Sequence, residues 1–348
     1  MKIYLTFHPY IWTKYNFYFT DLHQCEYVFY FYNMGFNYYN EELQIMWTNN
    51  EDAFSSNREF NNINYFLKMN KKVILYYRSD SSDHIEYLNN YHNEIINKNI
   101  ILIKDFSVDI NYFIKNNIEK IEIYGDNGSE GYNTFKIMKI FNEINIENKT
   151  NKYIAKNQYD FYDKYIHIWT WKFNAYGFLY MNYDKNNEIN NKPIDVFYVK
   201  NYRENTIDCL YRKKIHEIIN QMKLKYKNLN FYTEPCNSDI YLDKLSKAKI
   251  CVSCYGMGEC CYDDWKSIIN NTILVKPDTS YVKDYYGINN EFNEMINFFS
   301  IDLSDLETKI IDILNNYDIF KQKAIIAKQK LLQFDEEKHV KDFCKIFN

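Results

Sequence analysis

The sequence predicts an α/β fold built on parallel β-sheets. Apolar, strand-like segments alternate with amphipathic, helix-like segments from Pro193 onward, and the first half of the chain repeats this alternation more weakly. Such alternation is typical of parallel strands that are joined by crossover helices. A chain of 348 residues also exceeds the size at which one hydrophobic core usually keeps growing. We therefore expect two Rossmann-like domains.

In the second half, strands and helices follow one another in a regular order. The segment IDVFYVK at 194–200, which is apolar apart from Asp195 and Lys200, predicts a buried strand, and 211–226 has the period of an amphipathic helix. The helix predicted near the C-terminal end begins with Ser304 and Glu307 in capping-box spacing. The remaining elements are predicted as strands at 229–234, 249–254, 272–277 and 297–302, and helices at 239–248 and 261–270.

The first half gives four strand predictions, at 2–7, 71–77, 99–105 and 120–125. The polar stretch from Asp184 to Lys192 is the best linker candidate, because it lacks apolar periodicity and ends at a proline. These observations predict an acceptor-side domain over 1–190, a nucleotide-sugar-binding domain over 191–330 and a helix over 331–348 that returns to the first domain; the roles of the two domains follow from the resemblance described below.

Composition and charge exclude several classes of protein. A net charge of −4 supplies no broad basic field, so a protein that wraps nucleic acid is not expected. The first twelve residues lack the features of a signal peptide, and no apolar run reaches the length of a membrane span. We expect a soluble, cytoplasmic protein without an integral membrane segment. The 36 Tyr and 25 Phe, with abundant Asn, Ile and Lys, indicate AT-rich coding, as in a viral or other AT-rich source.

The 8 cysteines are scattered along the chain and are expected to be reduced. Cys251 and Cys254 have the C-x-x-C spacing of some zinc sites, but no second well-spaced pair or histidine ligand follows them. Cys251 also falls within an apolar strand pattern, where a small buried hydrophobic residue is expected. The sequence therefore predicts neither a metal site nor a cofactor.

Two of the 8 glycines, Gly256 and Gly258, stand between a predicted strand and a predicted helix. In an open parallel sheet, ligands bind beyond the carboxyl ends of the strands, where the loops enter the helices. Glycine allows a close backbone approach, and the free N–H groups at a helix start attract phosphate. This loop is a candidate phosphate site. The alternative is that the two glycines only form a tight turn.

The wider segment from Ser253 to Val282 resembles a family of GT-B type glycosyltransferases of bacteria and large DNA viruses. That family carries a pattern like S-P-[FYW]-G-x-G-E-x-x-[YV]-R-D-[FW]-E-A, followed by L-[IV]-K-P-D-x-S-H-[VL]. The resemblance is limited to the second domain. The matching residues are Ser253, Tyr255, Gly256, Gly258, Glu259, Tyr262, Asp264, Trp265, Leu274, Val275, Lys276, Pro277, Asp278, Ser280 and Val282.

The resemblance implies two Rossmann-like domains that face each other across a cleft, and transfer of a sugar from a nucleotide-sugar donor to a glycan or other hydroxyl acceptor in glycan biosynthesis. GT-B enzymes typically stabilise the leaving diphosphate with backbone N–H groups and basic side chains rather than with a metal ion. The donor-binding residues implied are Gly256, Met257, Gly258, Tyr262, Asp264, Lys266, Lys276, Asp278 and Arg212.

Two positions depart from the family pattern, because Asp263 and Lys266 stand where the family usually has Arg and Glu. In similar enzymes the carboxylate at the second position commonly binds ribose hydroxyls, and an ammonium cannot accept those hydrogen bonds. Lys266 could instead contact a phosphate, and Asp263 could replace the missing hydroxyl acceptor. Alternatively, Asp263 and Lys266 form only a surface ion pair at helical spacing. The departures support an alternative function, a catalytically degenerate GT-B protein that binds a glycan or nucleotide without turnover.

Catalytic candidates come from both halves. Glu259 follows the second glycine and is expected to contact a sugar or nucleotide hydroxyl, or else to favour the positive end of the next helix. In an inverting reaction a carboxylate or histidine must accept the acceptor's proton, and Asp80, Asp83, His84 and Asp126 form that pool, with Asp80 and Asp126 preferred. A third alternative is a dehydrogenase or epimerase that binds NAD at Gly125–Gly131, although the glycine spacing departs from the usual fingerprint.

Overall fold

The computed structural model describes residues 3–5, 27–32, 64, 67–77, 89–104, 107–108, 120–123, 152–155, 164–168, 191–200, 207–254, 261–279, 282–283 and 295–332. The chain forms two compact units. The first comprises residues 1–79, 83–105 and 155–169, and the second comprises 80–82, 106–154 and 170–348. Most of the predicted linker at 184–192 lies outside the described residues, and its last residue, Lys192, is buried. Of the helix predicted over 331–348 to return to the first domain, residues 333–348 lie outside them as well.

Within the described residues the strands are β1 (Ile3–Leu5), β2 (Tyr27–Tyr32), β3 (Lys72–Tyr77), β4 (Ile100–Lys104), β5 (Ser107–Val108), β6 (Lys120–Ile123), β7 (Lys152–Ala155), β8 (Ile166–Ile168), β9 (Ile194–Phe197), β10 (Phe231–Tyr232), β11 (Ala248–Val252), β12 (Ile273–Pro277), β13 (Val282–Lys283) and β14 (Asn297–Phe299). The α-helices are α1 (His92–Ile96), α2 (Ile207–Lys225), α3 (Ser238–Ser246), α4 (Tyr262–Ile269), α5 (Leu306–Asn315) and α6 (Tyr317–Leu332).

The first unit contains a five-stranded sheet in the order β1-β2-β3-β4-β8, and all neighbouring strands are parallel. Its core includes Val73 and Ile74 of β3 and the four isoleucine and leucine residues 100–103 of β4, all of which are buried. Parallel strands are covered on both faces, so continuous apolar runs such as these are expected in them. The strands predicted at 2–7, 71–77 and 99–105 are confirmed, whereas β2 and β8 were not predicted.

The second unit contains a five-stranded sheet in the order β10-β9-β11-β12-β14, again with all neighbours parallel. In chain order this is 2-1-3-4-5, because β10 lies on one side of β9 and β11, β12 and β14 lie on the other. The order reverses between β9 and β11. Every strand and helix that was predicted between residues 194 and 302 is present, and the parallel α/β class is confirmed.

Helices cover the second sheet because their apolar residues recur at helical spacing. On α2, Tyr211, Ile215, Ile219 and Met222 are fully buried and pack with Val196 and Ile250 of the sheet in the larger core cluster. Helix α5 contributes Leu306, Ile310 and Ile313 to the same cluster. A separate cluster joins β9 and β11 to Leu245 of α3. The second sheet therefore packs against two buried clusters.

The predicted capping box at the start of α5 is wrong. The helix begins at Leu306 with Asp305 as its N-cap, and the Asp305 carboxylate accepts a hydrogen bond from the Ser300 N–H. Ser304 instead donates its hydroxyl to Asp302, at 2.7 Å. Glu307 accepts hydrogen bonds from Tyr226 and Lys225, so it links α5 to the end of α2. Tertiary contacts outweigh the local capping pattern at this helix.

A buried lysine, Lys192, ties together the amino edge of the second sheet. Its Nζ lies 2.9, 3.0 and 3.0 Å from the carbonyl oxygens of Ser246, Ala248 and Asn270 and 3.1 Å from Thr272 Oγ1, so its N–H groups are shared among four acceptors. These acceptors belong to the connections that lead into β11 and β12. The side chain of Lys192 thus fixes the start of β9 against its neighbours.

Two short pairings complete the described strands. Val108 of β5 pairs antiparallel with Val282 of β13, and both strands belong to the second unit. Strands β6 and β7 form a separate two-stranded sheet. Among the described helices, none combines the length and apolar character that crossing a bilayer requires.

Candidate functional site at the carboxyl edge of the second sheet

The reversal of strand order between β9 and β11 defines the candidate site. At such a point the connections leave the sheet in opposite directions, and the carboxyl ends of the two strands leave a crevice that ligands occupy in open α/β sheets. Lys200 follows β9 by three residues, and Ser253 directly follows β11. The first turn of α4, with Asp263 and Asp264, lies beside them through the contacts described below.

Six of the predicted site residues lie outside the described residues: Asp80, Asp126, Gly256, Met257, Gly258 and Glu259. The same is true of Asp83 and His84, and of the alternative NAD loop at Gly125–Gly131. The other six predicted residues are described, although only the backbone position of Tyr262, at the start of α4, is given. They are Tyr262, Asp264, Lys266, Lys276, Asp278 and Arg212.

Asp264 and Lys276 form a fully buried ion pair. Lys276 Nζ lies 2.5 Å from Asp264 Oδ2, and neither side chain is exposed to solvent. The other carboxylate oxygen, Oδ1, accepts a hydrogen bond from the Ser253 hydroxyl at 2.6 Å. Oδ2 also accepts the backbone N–H of Cys261 at 3.2 Å. Asp264 therefore connects the beginning of α4 to the ends of β11 and β12.

Asp263, the residue before Asp264, contacts the β9 side of the carboxyl edge of the second sheet. Its Oδ2 forms a salt bridge with Lys200, and its Oδ1 accepts a hydrogen bond from the Tyr241 hydroxyl at 2.6 Å. The Lys200 and Asp263 side chains are only 8% and 17% exposed. Asp263 is thus part of a buried network that joins β9, α3 and α4, rather than one partner of an isolated surface pair with Lys266.

The electrostatics of this pair keep both groups charged. Burial disfavours the Asp263 carboxylate, but the neighbouring Lys200 ammonium and the hydrogen bonds outweigh it and lower the pKa of Asp263 below its ordinary value. Burial likewise disfavours the Lys200 ammonium, yet the Asp263 charge raises the pKa of Lys200 above its ordinary value. Burial, with the Asp263 charge beside it, raises the pKa of Tyr241 well above the usual range, so its hydroxyl stays a donor.

Both ends of the glycine segment 255–260 are held in place. The Ser253 N–H donates to the Val275 carbonyl at 2.8 Å, which continues the β11–β12 pairing to the last residues before the segment. On its far side, the Cys261 thiol donates to the Cys254 carbonyl at 2.7 Å. With the Asp264 contacts, these bonds fix where the segment leaves β11 and where it enters α4.

Lys266 lies in the second turn of α4, and its side chain contacts Tyr241 of α3. Its Nζ lies 4.8 Å from the centroid of the Tyr241 ring, a cation–π arrangement. The Tyr241 ring packs edge-on against Phe197 with 5.0 Å between centroids, and Tyr232 stacks on Phe197 at 5.8 Å. Lys266 is half-buried, and its charge contributes to the lowered pKa of Asp263.

Three further groups lie around this edge. Arg212 is half-buried in the second turn of α2, and its carbonyl accepts the Tyr198 hydroxyl at 2.8 Å. The Asp278 N–H, just beyond β12, donates to the Phe299 carbonyl at 2.9 Å. The next residue, Thr279, is 1% exposed, and within the described part of the chain its hydroxyl has no hydrogen-bond partner.

The site residues predicted from the sequence do not include Lys200 or Tyr241, and for Asp263 the sequence patterns indicate either a surface pair with Lys266 or a contact with a ligand hydroxyl. Lys200 had a detectable signal, since a lysine at the carboxyl end of an apolar parallel strand points to the ligand edge. No sequence signal indicated Tyr241, because it lies 22 positions from Asp263 and on a different helix. Ser253 belongs to the segment compared with the glycosyltransferase pattern, and its hydroxyl donates to Asp264.

The cysteines beside the site are buried thiols. Cys251 is 1% exposed, as its place in the apolar strand predicted, and Cys254 is fully buried. Burial raises the pKa of Cys251 to about 12, which leaves it protonated at neutral pH. Within the described residues, no group of three or more His, Cys, Asp or Glu side chains is arranged to hold a metal ion. Cys260 lies outside these residues.

Comparison with known proteins gives no relative from which a role could be taken. No protein-family model matches the chain, and neither the characterised proteins nor the solved structures include a significant match.

Proposed function

We propose that the protein is a glycosyltransferase that moves a sugar from a nucleotide-sugar donor to a glycan or other hydroxyl acceptor. The proposed architecture is GT-B, with the donor bound by the second Rossmann-like domain and the acceptor by the first. One observation supports the proposal: Ser253 and Cys261, which flank the glycine segment 255–260 in sequence, both bond to Asp264, beside the β9–β11 reversal. This is the position at which open parallel sheets bind nucleotides.

The donor diphosphate would contact the backbone N–H groups of the glycine segment and of the first turn of α4. Those N–H groups carry the positive end of the helix dipole. Asp264 and Lys276 would act indirectly, because their buried pair positions the segment and the helix start. Thr279 would offer its hydroxyl near the end of β12. Glu259 would contact the sugar or ribose, and Asp80 or Asp126 would accept the acceptor's proton in an inverting reaction.

Ligand binding to the purified protein tests this proposal. Melting temperatures would be measured with UDP-, GDP-, dTDP- and CMP-sugars, with NAD, and with each ligand in the presence of EDTA. A ligand that binds the native state raises the apparent stability. We expect one class of nucleotide sugar to raise the melting temperature, with or without EDTA. Stabilisation by NAD alone would support the dehydrogenase or epimerase alternative and contradict the proposal.

A second function, ligand binding without turnover, is favoured by one observation. Both oxygens of Asp263 are engaged, by Lys200 and by Tyr241, and Lys266 presents an ammonium where a carboxylate would accept hydroxyl hydrogen bonds. A degenerate transferase could keep its fold in this way and lose its chemistry. Donor hydrolysis and transfer to a panel of sugar acceptors, followed by mass spectrometry, would distinguish the two functions: a bound donor that is never consumed indicates a binding protein.

A further inference from the structure

Tyr241 joins helix α3 to the first turn of α4 at the candidate site. Its hydroxyl donates a hydrogen bond to Asp263 Oδ1 at 2.6 Å. The other carboxylate oxygen of Asp263, Oδ2, forms the salt bridge with Lys200, which follows β9. Each oxygen of Asp263 therefore has a donor from a different element, and the two donors together orient this carboxylate.

The Tyr241 side chain is a fixed donor. Its ring packs edge-on against Phe197 of β9, with 5.0 Å between the ring centroids. Burial, with the Asp263 charge beside it, raises the pKa of Tyr241 well above the usual range, so the hydroxyl keeps its proton at neutral and acid pH. A donor that is already held in place loses little conformational freedom when it binds the carboxylate.

The hydrogen bond supports one side of the first turn of α4. Asp263 is the second residue of this helix and directly precedes Asp264, whose carboxylate accepts from Ser253 and pairs with Lys276. Asp264 thus holds the turn toward β11 and β12, whereas Asp263 holds it toward β9 and α3. Loss of the Tyr241 hydroxyl would leave the contacts of Asp264 in place and remove one charge-assisted bond, a strong type of hydrogen bond, from the other side.

From this geometry we infer that Tyr241 is a positioning residue for donor binding, which acts through Asp263 to hold the first turn of α4 in the place where it meets the diphosphate. The inference rests on the proposed function, because it assumes that the diphosphate binds at this turn and at the glycine segment. Tyr241 acts without touching the ligand. A displaced turn would lengthen and misalign its N–H contacts with the ligand, and hydrogen bonds weaken steeply with such changes.

The variant Tyr241→Phe tests the inference, because it removes the hydroxyl and keeps the ring that packs on Phe197. The matched control is Tyr232→Phe. Tyr232 stacks on the same Phe197 at 5.8 Å, but its side chain forms a hydrogen bond with Cys236 instead of with Asp263. Melting temperatures would verify that both variants are folded.

Two measurements on the full chain report the position of α4 and its consequence. Hydrogen exchange of the α4 amides, without ligand, reports the local opening of the helix. Calorimetry gives the Kd of the nucleotide sugar that binds the wild type best. We expect Tyr241→Phe to exchange faster in α4 and to raise the Kd about 10-fold, as the loss of one charge-assisted contact would. Tyr232→Phe should leave both properties unchanged.

The pH dependence of the Kd provides a readout that a general loss of stability would not move. The described side chains that share an electrostatic interaction with Asp263 come from four elements, and they are Lys200, Tyr241, Lys266 and Cys251. Among them, the Tyr241 hydrogen bond helps to lower the pKa of Asp263, so Tyr241→Phe should raise it. Donor binding should therefore begin to weaken at a higher pH in Tyr241→Phe than in the wild type or in Tyr232→Phe.

Several results would overturn the inference. If α4 exchange, the Kd or its pH dependence is the same in Tyr241→Phe as in the wild type, Tyr241 is not a positioning residue, while the proposed function stands. Equal weakening in Tyr241→Phe and Tyr232→Phe would assign the effect to packing on Phe197 and contradict a role through Asp263. If no nucleotide sugar binds the wild type, the proposed function fails and the inference fails with it, whatever the exchange rates show.

Discussion

Asp264 Oδ2 lies 2.5 Å from Lys276 Nζ, and neither side chain reaches solvent. The preceding residue, Asp263, pairs with Lys200 at the end of β9 instead. Two consecutive carboxylates at the start of α4 are therefore anchored to strands on the two sides of β11. These ion pairs therefore hold the first turn of α4, which follows the glycine segment in sequence, against the second sheet.

The first prediction concerns the Asp264–Lys276 pair. Lys276→Met should lower the free energy of unfolding by about 3–5 kcal/mol, because it leaves a buried carboxylate without its cation. The measurement is urea denaturation at pH 7. The control is Lys225→Met, which removes an exposed cation from its 2.6 Å contact with Glu307 and should leave the stability nearly unchanged.

A double variant separates the ion pair from the volume of the side chains. Asp264→Leu with Lys276→Met removes both buried charges, and it should recover much of the stability that Lys276→Met alone loses. Ser253 would still lose its acceptor, so full recovery is not expected. If Lys276→Met behaves like the surface control, the buried pair does not anchor α4.

The second sheet could be predicted closely from the sequence, because its strands are short apolar runs and its helices are amphipathic over several turns. The segments at 194–200 and 272–277 illustrate this, since β9 and β12 are buried along their whole length. The start of α5 could not be predicted in the same way. Ser304 forms a hydrogen bond with Asp302, and Glu307 forms hydrogen bonds with Lys225 and Tyr226, instead of the two residues capping the helix. A local pattern does not reveal such distant partners.

The candidate site shows the same division. The resemblance marks Asp264 and Lys276 as candidate site residues, but it does not indicate that they contact each other. That contact depends on the register of β11 against β12, in which Val252 pairs with Val275. Lys200 and Tyr241 reach Asp263 from β9 and α3. Contacts that join elements so far apart in sequence follow from topology, which residue spacing alone does not specify.

The second prediction is a pH dependence that involves Asp263. Its pKa in the folded protein is below the ordinary value, so the unfolded state binds more protons in acid, and the stabilisation is lost as pH falls through the folded pKa. The raised pKa of Lys200 has the opposite sign: its contribution is present at neutral pH and is lost only at strongly alkaline pH. The joint contribution of Asp263 and Lys200 to the free energy of unfolding should therefore be constant near neutral pH.

The comparison of wild type with Asp263→Asn measures this contribution. The variant should be less stable at pH 7, and the difference between the two proteins should shrink as the pH falls below about 4. Asp239→Asn, which alters an exposed carboxylate on α3, is the control. A difference that stays constant down to pH 2 would show that the charge of Asp263 contributes nothing to stability.

The third prediction concerns Lys192, whose Nζ has four hydrogen-bond acceptors. Lys192→Met should cost about 2–4 kcal/mol at pH 7, because it leaves buried carbonyl groups without a donor. Lys213→Met, at an exposed position of α2, is the control. An equal loss in both variants, measured by urea denaturation, would contradict a specific role for Lys192.

The effect of Lys192 should also depend on pH. Burial, together with the charges of Lys328 and Lys321, lowers its pKa to about 7 from an ordinary value of 10.5. Between these values the unfolded state binds more protons, so the stability contributed by Lys192 rises with pH. Urea denaturation at pH 7 and pH 9 should therefore show a larger gap between wild type and Lys192→Met at pH 9. If the stability difference between wild type and Lys192→Met is smaller at pH 9 than at pH 7, the lowered pKa of Lys192 is contradicted.

The last prediction separates shape from chemistry in the glycine segment. Gly258→Val would place a branched side chain where a diphosphate is proposed to approach, and it would restrict the backbone, so donor binding should be abolished while the fold persists. Glu259→Gln keeps the volume and removes the charge, so binding should stay measurable while turnover falls about 100-fold, as expected when one transition-state contact is lost. Calorimetry, a transfer assay and melting temperatures measure these three properties. Normal donor binding by a folded Gly258→Val would mean that the segment is only a turn, because a ligand that contacts the bare backbone could not tolerate the added side chain.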